Sequence, residues 1–375
     1  MQKKIRLMCV AECSGGVNRY LHSLFKYLDH KEFEIIFVCS QNYKPDEFVD
    51  IVDVVAQIPM EHAIKKGDLT TVIQIRKLIK QYRPDIVYAH SSKAGALVRL
   101  ANVATKVTCI YNPHGWAFNM QEGHISRIVY RYLEKVMAFF CDKIVCISEA
   151  ERQSALQNRI CPDQKLKVIY NGIDIEEYQM IEKERVSREQ LHIPRDAFVI
   201  GMVGRLSKQK APDIFIQMAD LVCKNIPNAY FIMVGTGVMQ EQILKYAESN
   251  NLMDRLRITG WVTNPLVYIE LFDVAVLLSR WEGFGLVIPE YMICKKPVIA
   301  TAVDAIPNLI QDHKNGLLVP MDDVDAASKA VLELYNDNAL QSQLVQNALR
   351  DVYEKFDARR VAREHERLFK SLRVQ

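Results

Sequence analysis

The sequence predicts an α/β protein built from two doubly wound domains, each on a parallel sheet. Short apolar runs rich in valine and isoleucine, without polar alternation, recur along the whole chain, as strands buried on both faces require. Each run is followed by a turn and then by a segment of helical period, which is the βα rhythm of a parallel sheet. At 375 residues the chain is long enough for two hydrophobic cores.

Residues 5–11 read as the first strand, and Glu12, Cys13, Ser14, Gly15 and Gly16 as the turn into a helix over 17–28. Gly15 and Gly16 remove two Cβ atoms beside a helix N-terminus, an opening that admits a phosphate or a bulky acceptor, or only a tight turn. No G-x-G-x-x-G follows, so a nicotinamide dinucleotide site is not supported. A second strand covers 33–40. Residues 69–82 form a helix with Val72, Ile75 and Ile79 on one face, ending before Arg83-Pro84.

A buried strand over 85–89 delivers His90, Ser91, Ser92 and Lys93 to its carboxyl edge, and a helix opens there and runs to 104. The strand over 107–111 ends in Asn112-Pro113-His114-Gly115-Trp116. A lone histidine at a strand end is usually a satisfied structural residue. Two of them, His90 and His114, at neighbouring carboxyl ends point to a cleft, because open α/β sheets bind ligands there.

Residues 125–140 form a helix carrying Arg127, Arg131 and Lys135, interleaved with Ile128, Val129, Tyr132, Val136, Phe139 and Phe140. Two readings stand for it: its apolar face packs on its own sheet, or it lies as a basic amphipathic surface at an anionic membrane. A strand over 141–148, a helix over 149–157 and a strand over 167–170 complete the first half, closed by Asn171-Gly172-Ile173-Asp174. The domains expected are 1–175 and 197–355, joined by a charge-rich linker over 176–196.

The second half opens with a strand over 198–203 and the loop Gly204-Arg205-Leu206-Ser207-Lys208-Gln209-Lys210, then a helix over 212–222. This spacing puts Arg205 and Lys210 at the mouth of that helix, where a diphosphate would need its charge neutralised. Strands over 230–235 and 256–262 follow, the latter ending at Val262, and further strands are read over 297–301 and 316–319.

Between them the apolar run 272–278 leads into Ser279-Arg280-Trp281-Glu282-Gly283-Phe284-Gly285-Leu286-Val287-Ile288-Pro289-Glu290 and then a helix. This strand-to-helix turn pairs two carboxylates, Glu282 and Glu290, with glycines that let backbone amides approach an anion. One carboxylate suits a sugar and the other a ribose hydroxyl.

The paired glutamates around Gly283-Phe284-Gly285-Leu286 resemble the signature of retaining glycosyltransferase family 4, whose GT-B fold is two facing Rossmann-like domains. Arg205 with Lys210 is similar to that family's diphosphate-binding pair, and His114-Gly115 to its first-domain histidine that contacts the transferred sugar. The resemblance implies transfer from a nucleotide diphosphate sugar, UDP-linked by expectation, to a saccharide or polyprenyl-diphosphate-linked acceptor in capsule or exopolysaccharide assembly. It further implies that Val262 lies near the nucleotide base, that Gly15 and Gly16 face the cleft, and that a C-terminal helix at about 356–375 crosses back to the first domain. Lys295-Lys296 and the Asp304-Ala305-Ile306-Pro307-Asn308 loop depart from the family pattern, which leaves the sugar open.

The rest of the composition bounds the partners. A net charge of +3 argues against a dedicated nucleic-acid binder. The first 180 residues hold 24 basic and 20 acidic residues against 24 and 25 afterwards, so the more basic half comes first. Nine scattered cysteines without a C-x-x-C pair read as buried thiols of a reducing compartment rather than disulfides or a zinc site. With Arg205 and Lys210 available to neutralise a diphosphate, a metal-independent enzyme without cofactor is expected. No apolar stretch approaches the ~20 residues of a membrane span, and no signal peptide is seen, so the expectation is a cytoplasmic protein that can lie peripherally on the inner membrane face. Two other readings fit the same architecture: a nucleotide-sugar epimerase or hydrolase, and a non-catalytic nucleotide-sugar-binding module.

Overall fold

A computed structural model describes residues 3–12, 15–60, 67–119, 123–179 and 186–373. Contacts divide the chain into two units, residues 1–173 with 357–375, and residues 174–356. Among the described residues no helix is long and apolar enough to cross a membrane.

The first unit contains β1 (Ile5–Ala11), α1 (Gly16–Tyr27), β2 (Phe33–Cys39), β3 (Val54–Gln57), α2 (Asp68–Tyr82) and β4 (Ile86–His90). It continues with α3 (Ser92–Ala101), β5 (Thr108–Asn112), α4 (His124–Met137), β6 (Lys143–Cys146), α5 (Glu149–Gln157) and β7 (Leu166–Val168). The strands form one sheet in the order β3-β2-β1-β4-β5-β6-β7, every pair parallel. β3 is an edge strand that the sequence reading leaves unassigned: its apolar run, Val54-Val55-Ala56, is short and bounded by Asp53 and Gln57, and its residues are half-buried or exposed. The central strands are buried on both sides, and two hydrophobic cores cover the two faces.

The second unit contains α6 (Ile175–Gln179), β8 (Phe198–Val203), α7 (Pro212–Cys223), β9 (Ala229–Val234), α8 (Gln240–Ser249), β10 (Leu256–Ile258) and α9 (Leu266–Ile269). Then come β11 (Val274–Leu277), α10 (Val287–Ile293), β12 (Val298–Thr301), α11 (Ile306–Leu309), β13 (Leu317–Val319), α12 (Val324–Asn336) and α13 (Asn338–Lys355). Its parallel sheet runs β10-β9-β8-β11-β12-β13. The strand read to Val262 stops at Ile258, since Gly260 turns the chain at φ 74°. The described part of the segment read as a linker packs into this unit: Ile193 is buried, and Arg188 bonds Asp273 at 2.9 Å and the Leu271 carbonyl at 2.9 Å.

The last helix, α14 (Ala358–Arg373), belongs to the first unit. Ala358 N–H donates to the Ile173 carbonyl at 3.0 Å, so the chain re-enters beside the point where it left. Val361, Ala362, Leu368 and Phe369 then join the core that α1 builds with Tyr20, Leu24 and Phe25.

Candidate active site

In both sheets the strand order reverses between two neighbours, β1 and β4 in the first and β8 and β11 in the second. Crevices beyond the carboxyl ends of such strands are where open α/β sheets bind ligands. Gly15, His90, Arg205, Lys210 and Glu282 all lie in, or at the start of, loops leaving these four strands.

In the second unit the loop after β8 is held backbone to backbone by the loop after β9. Gly204 N–H donates to the Val234 carbonyl and Leu206 N–H to the Thr236 carbonyl, each at 3.0 Å. A Cβ on Gly235 would sit 2.1 Å from the Gly204 carbonyl oxygen, and one on Gly237 2.3 Å from that of Leu206. Only glycine permits this approach.

The loop after β11 brings Glu282 inward, where it is 7% exposed. Its Oε1 accepts from the Lys210 ammonium and from Ser279 Oγ at 2.7 Å, and its backbone N–H donates to Asp304 Oδ2 at 2.9 Å. Burial, reinforced by the neighbouring Glu282 carboxylate, lifts the Asp304 carboxyl above its ordinary range against the pull of that N–H. The loop read as a departure from the family pattern therefore supports Glu282.

Arg280 ties the two loops together. Its guanidinium makes a fork on Asp213, at 3.1 and 2.6 Å, and also reaches Asp322 at 2.7 Å and the Lys208 carbonyl at 2.9 Å. Its N–H donates to the Gln209 carbonyl at 2.8 Å, and Gln209 Nε2 returns a bond to the Trp281 carbonyl at 3.1 Å. The two cations read as converging are placed differently here: Lys210 turns inward onto Glu282, while Arg205 is exposed with no side-chain partner among the described residues.

Gly285 adopts φ 83°, which turns the chain into α10, and Phe284 is buried against the Phe356 ring at 5.9 Å. Gly283 and Leu286 are half-buried, and Leu286 immediately precedes α10. Glu290 is buried within α10; beside it the Tyr291 hydroxyl accepts from the Val203 N–H at 2.7 Å, fastening α10 to the end of β8. Val262 is half-buried just beyond Gly260, which bridges to Gly235.

In the first unit the two histidines meet. His90 Nδ1 and His114 Nε2 are 3.0 Å apart, so one ring donates and the other accepts. Burial, with the His365 charge adding to it, lowers His114 to about 3, and burial with His114 beside it holds His90 well below its usual value; both are neutral. His114 takes a left-handed backbone at φ 53°, pinned by its N–H on Asn112 Oδ1 at 3.0 Å and by Gly115 N–H on Glu151 Oε1 at 2.7 Å. The Tyr20 ring stands edge-on to His114, with centroids 4.8 Å apart. Gly15, at φ 82°, precedes α1 and Gly16 is its first residue; both are exposed, and a Cβ on Gly15 would meet open space. Cys13 and Ser14 of that turn lie outside the described residues.

Arg280, Asp304, Tyr20, Tyr88, Asn112, Glu151 and His365 were not singled out from the sequence. Their roles depend on partners far away in the chain, 67 residues for Arg280 with Asp213 and 345 for Tyr20 with His365, and no spacing announces such pairs.

Two parallel-sheet units, each with charged or imidazole groups beyond its switch-point strands, are the architecture of the GT-B glycosyltransferases. Residues 14–177 match the model of Glycosyltransferase Family 4, and residues 183–351 that of Glycosyl transferases group 1. The chain belongs to this glycosyltransferase family, and it is an enzyme of that kind. An Escherichia coli UDP-Gal:alpha-D-GlcNAc-diphosphoundecaprenol alpha-1,3-galactosyltransferase is 29% identical over 333 residues, covering 87% of this chain and 86% of that one. The Staphylococcus aureus capsular polysaccharide biosynthesis glycosyltransferase CapM is 23% identical, covering 92% and 91%. Among solved structures, Anabaena HepE in complex with UDP and glucose shares the fold, with a TM-score of 0.83, 21% identity and coverage of 98% and 100%.

Proposed function

We propose that this glycosyltransferase moves a sugar from a UDP-sugar to a lipid-linked saccharide, with retention of anomeric configuration, in the assembly of a bacterial capsule or exopolysaccharide. The observation that carries the reading is the pairing of half-buried Lys210 with buried Glu282 between the loops of β8 and β11. A diphosphate arriving at these loops competes with Glu282 for the Lys210 ammonium. Lys210 and the unpaired Arg205 then neutralise the charge that develops on the leaving diphosphate. Glu282, released, accepts from the sugar hydroxyls, while Glu290 holds the ribose and His114 serves the sugar. Two cations do the work of a divalent metal, so transfer proceeds without one.

The relatives support the finer points. The E. coli enzyme is named for a UDP-sugar donor, an undecaprenol-linked acceptor and an alpha linkage, and CapM for capsule synthesis. A peripheral position on the inner membrane face draws support from α4. Its apolar stripe faces solvent, with Ile125 78%, Val129 58%, Tyr132 69% and nearby Phe139 82% exposed, while Glu134 and Met137 turn inward. Glu134 accepts from Arg99 at 3.0 Å and from the Tyr111 hydroxyl at 2.8 Å, which anchors the helix with that stripe outward. Arg127, Arg131 and Lys135 add basic charge, worth about 1 kcal/mol each near an anionic leaflet.

Incubating the protein with a panel of nucleotide sugars, with and without polyprenyl-diphosphate-linked saccharides, tests the reading. UDP release that requires the lipid acceptor and survives EDTA is expected, with an alpha product by NMR. Rapid release or epimerisation without any acceptor would replace this reading by that of an epimerase or hydrolase.

A further inference from the structure

Hydrogen bonds from His114 to the last helix form one chain whose direction is fixed at both ends. At one end the His114 N–H, which can only donate, meets Asn112 Oδ1 at 3.0 Å. That sets the amide, so Asn112 Nδ2 donates to the Tyr88 hydroxyl oxygen at 3.2 Å. At the other end the Val361 carbonyl, which can only accept, takes His365 Nδ1–H at 2.8 Å. His365 therefore carries its proton on Nδ1 and offers a bare Nε2. Burial holds its pKa at about 4, so it stays a neutral acceptor.

The Tyr20 hydroxyl lies 2.9 Å from that Nε2 and 3.1 Å from the Tyr88 hydroxyl, and Tyr88 itself lies 3.2 Å from Nε2. Whichever hydroxyl feeds His365, the sense is the same: donation runs from His114 through Asn112 and the tyrosines to His365. Tyr20, Tyr88, Asn112 and His365 are all buried, so solvent does not stand in for a missing partner.

We propose that His365, delivered by α14, is a positioning residue that holds His114 in its left-handed conformation through this polarised chain. The proposal rests on the reading that His114 serves the sugar. A non-glycine residue at positive φ persists only where its surroundings over-determine it. Without an acceptor at position 365, the hydroxyl proton of Tyr20 turns to Tyr88, and that of Tyr88 turns to Asn112. The amide then flips and sets Nδ2 against the His114 N–H, donor against donor.

The test uses the full chain with His365→Leu, His365→Gln and Tyr88→Phe, followed by long-range proton–nitrogen NMR of the imidazoles and by transfer kinetics. The wild type should show His365 in the Nδ1–H form. His365→Leu should shift the His114 amide and ring signals and lower kcat about tenfold, with donor KM within about twofold. His365→Gln, whose side-chain oxygen accepts, should restore most of kcat. Should His365→Leu fail to fold, Tyr88→Phe, which removes the hydroxyl that joins Asn112 to His365, carries the same expectations. An Nε2–H form of His365 in the wild type overturns the proposal, as do unmoved His114 signals in both disruptive variants. If His114→Ala transfers at the wild-type rate, the reading of His114 fails instead, and the spectra alone still decide whether the chain exists.

Discussion

Around Glu282, the groups that hold its carboxylate and its backbone N–H come from three loops at neighbouring strand ends, and all but Asp304 lie in the two stretches that the sequence displays nearly whole. Ser279 is three residues away, and Lys210 lies in the loop of the adjacent strand. Around His114, the partners come from α1, β4, β5 and α14, and the last of these is supplied from the far end of the chain. The first site is charged and paired; the second is neutral, aromatic and buried. A charged site built on a glycine turn leaves a local signature, whereas a neutral network spread over a core leaves none.

The largest effect is expected from Glu282→Gln, which weakens the proposed sugar contact and leaves Lys210 without its counter-charge. We expect kcat/KM to fall by about two decades, because a charge-assisted hydrogen bond is worth about 1.5–3 kcal/mol. Steady-state kinetics with the preferred donor check this, and a change of less than threefold would remove Glu282 from the site.

Gly235→Ala probes the scaffold beneath that site. The new Cβ meets the Gly204 backbone at 2.1 Å, and φ 140° is strained for any side chain, so stability should drop by about 2–4 kcal/mol. Urea denaturation of the variant reads the loss directly; a wild-type midpoint would mean that the two loops separate freely.

The smallest effect belongs to the neutral cluster and is read through pH. His365 and His114 have folded values of about 4 and about 3, below the ordinary histidine value. Depressed values mean that the folded state binds fewer protons. The stability they provide is therefore complete above the unfolded value near 6.5 and is lost as pH falls towards the folded values. His365→Gln should flatten the decline between about pH 6 and pH 4 by about one proton, or about 1.4 kcal/mol per pH unit. An unchanged pH slope would show that His365 is not buried as a neutral base.

The same contrast explains what the sequence discloses. Largely apolar runs such as 5–11 and 198–203 give strands with those same bounds, as parallel strands buried on both faces require. Val54–Gln57 is passed over because its apolar run is only three residues long and lies between Asp53 and Gln57. The α4 stripe could be read either as core-facing or as surface, and the buried Arg99–Glu134 pair decides which face turns inward. Glu282, Lys210 and His114 are visible as motif residues. Arg280, Asp304 and His365 are ordinary residues until the fold brings their partners to them.

The proposed function divides the labour: the second unit binds the donor and His114 of the first acts in transfer. Calorimetric titration of UDP into wild type, Arg205→Ala and His114→Ala, paired with transfer rates for each, tests it most directly. The expected result is UDP affinity weakened about tenfold or more by Arg205→Ala and unchanged by His114→Ala, with transfer impaired in both. Equal loss of UDP affinity in the two variants, or full transfer by His114→Ala, would contradict the account.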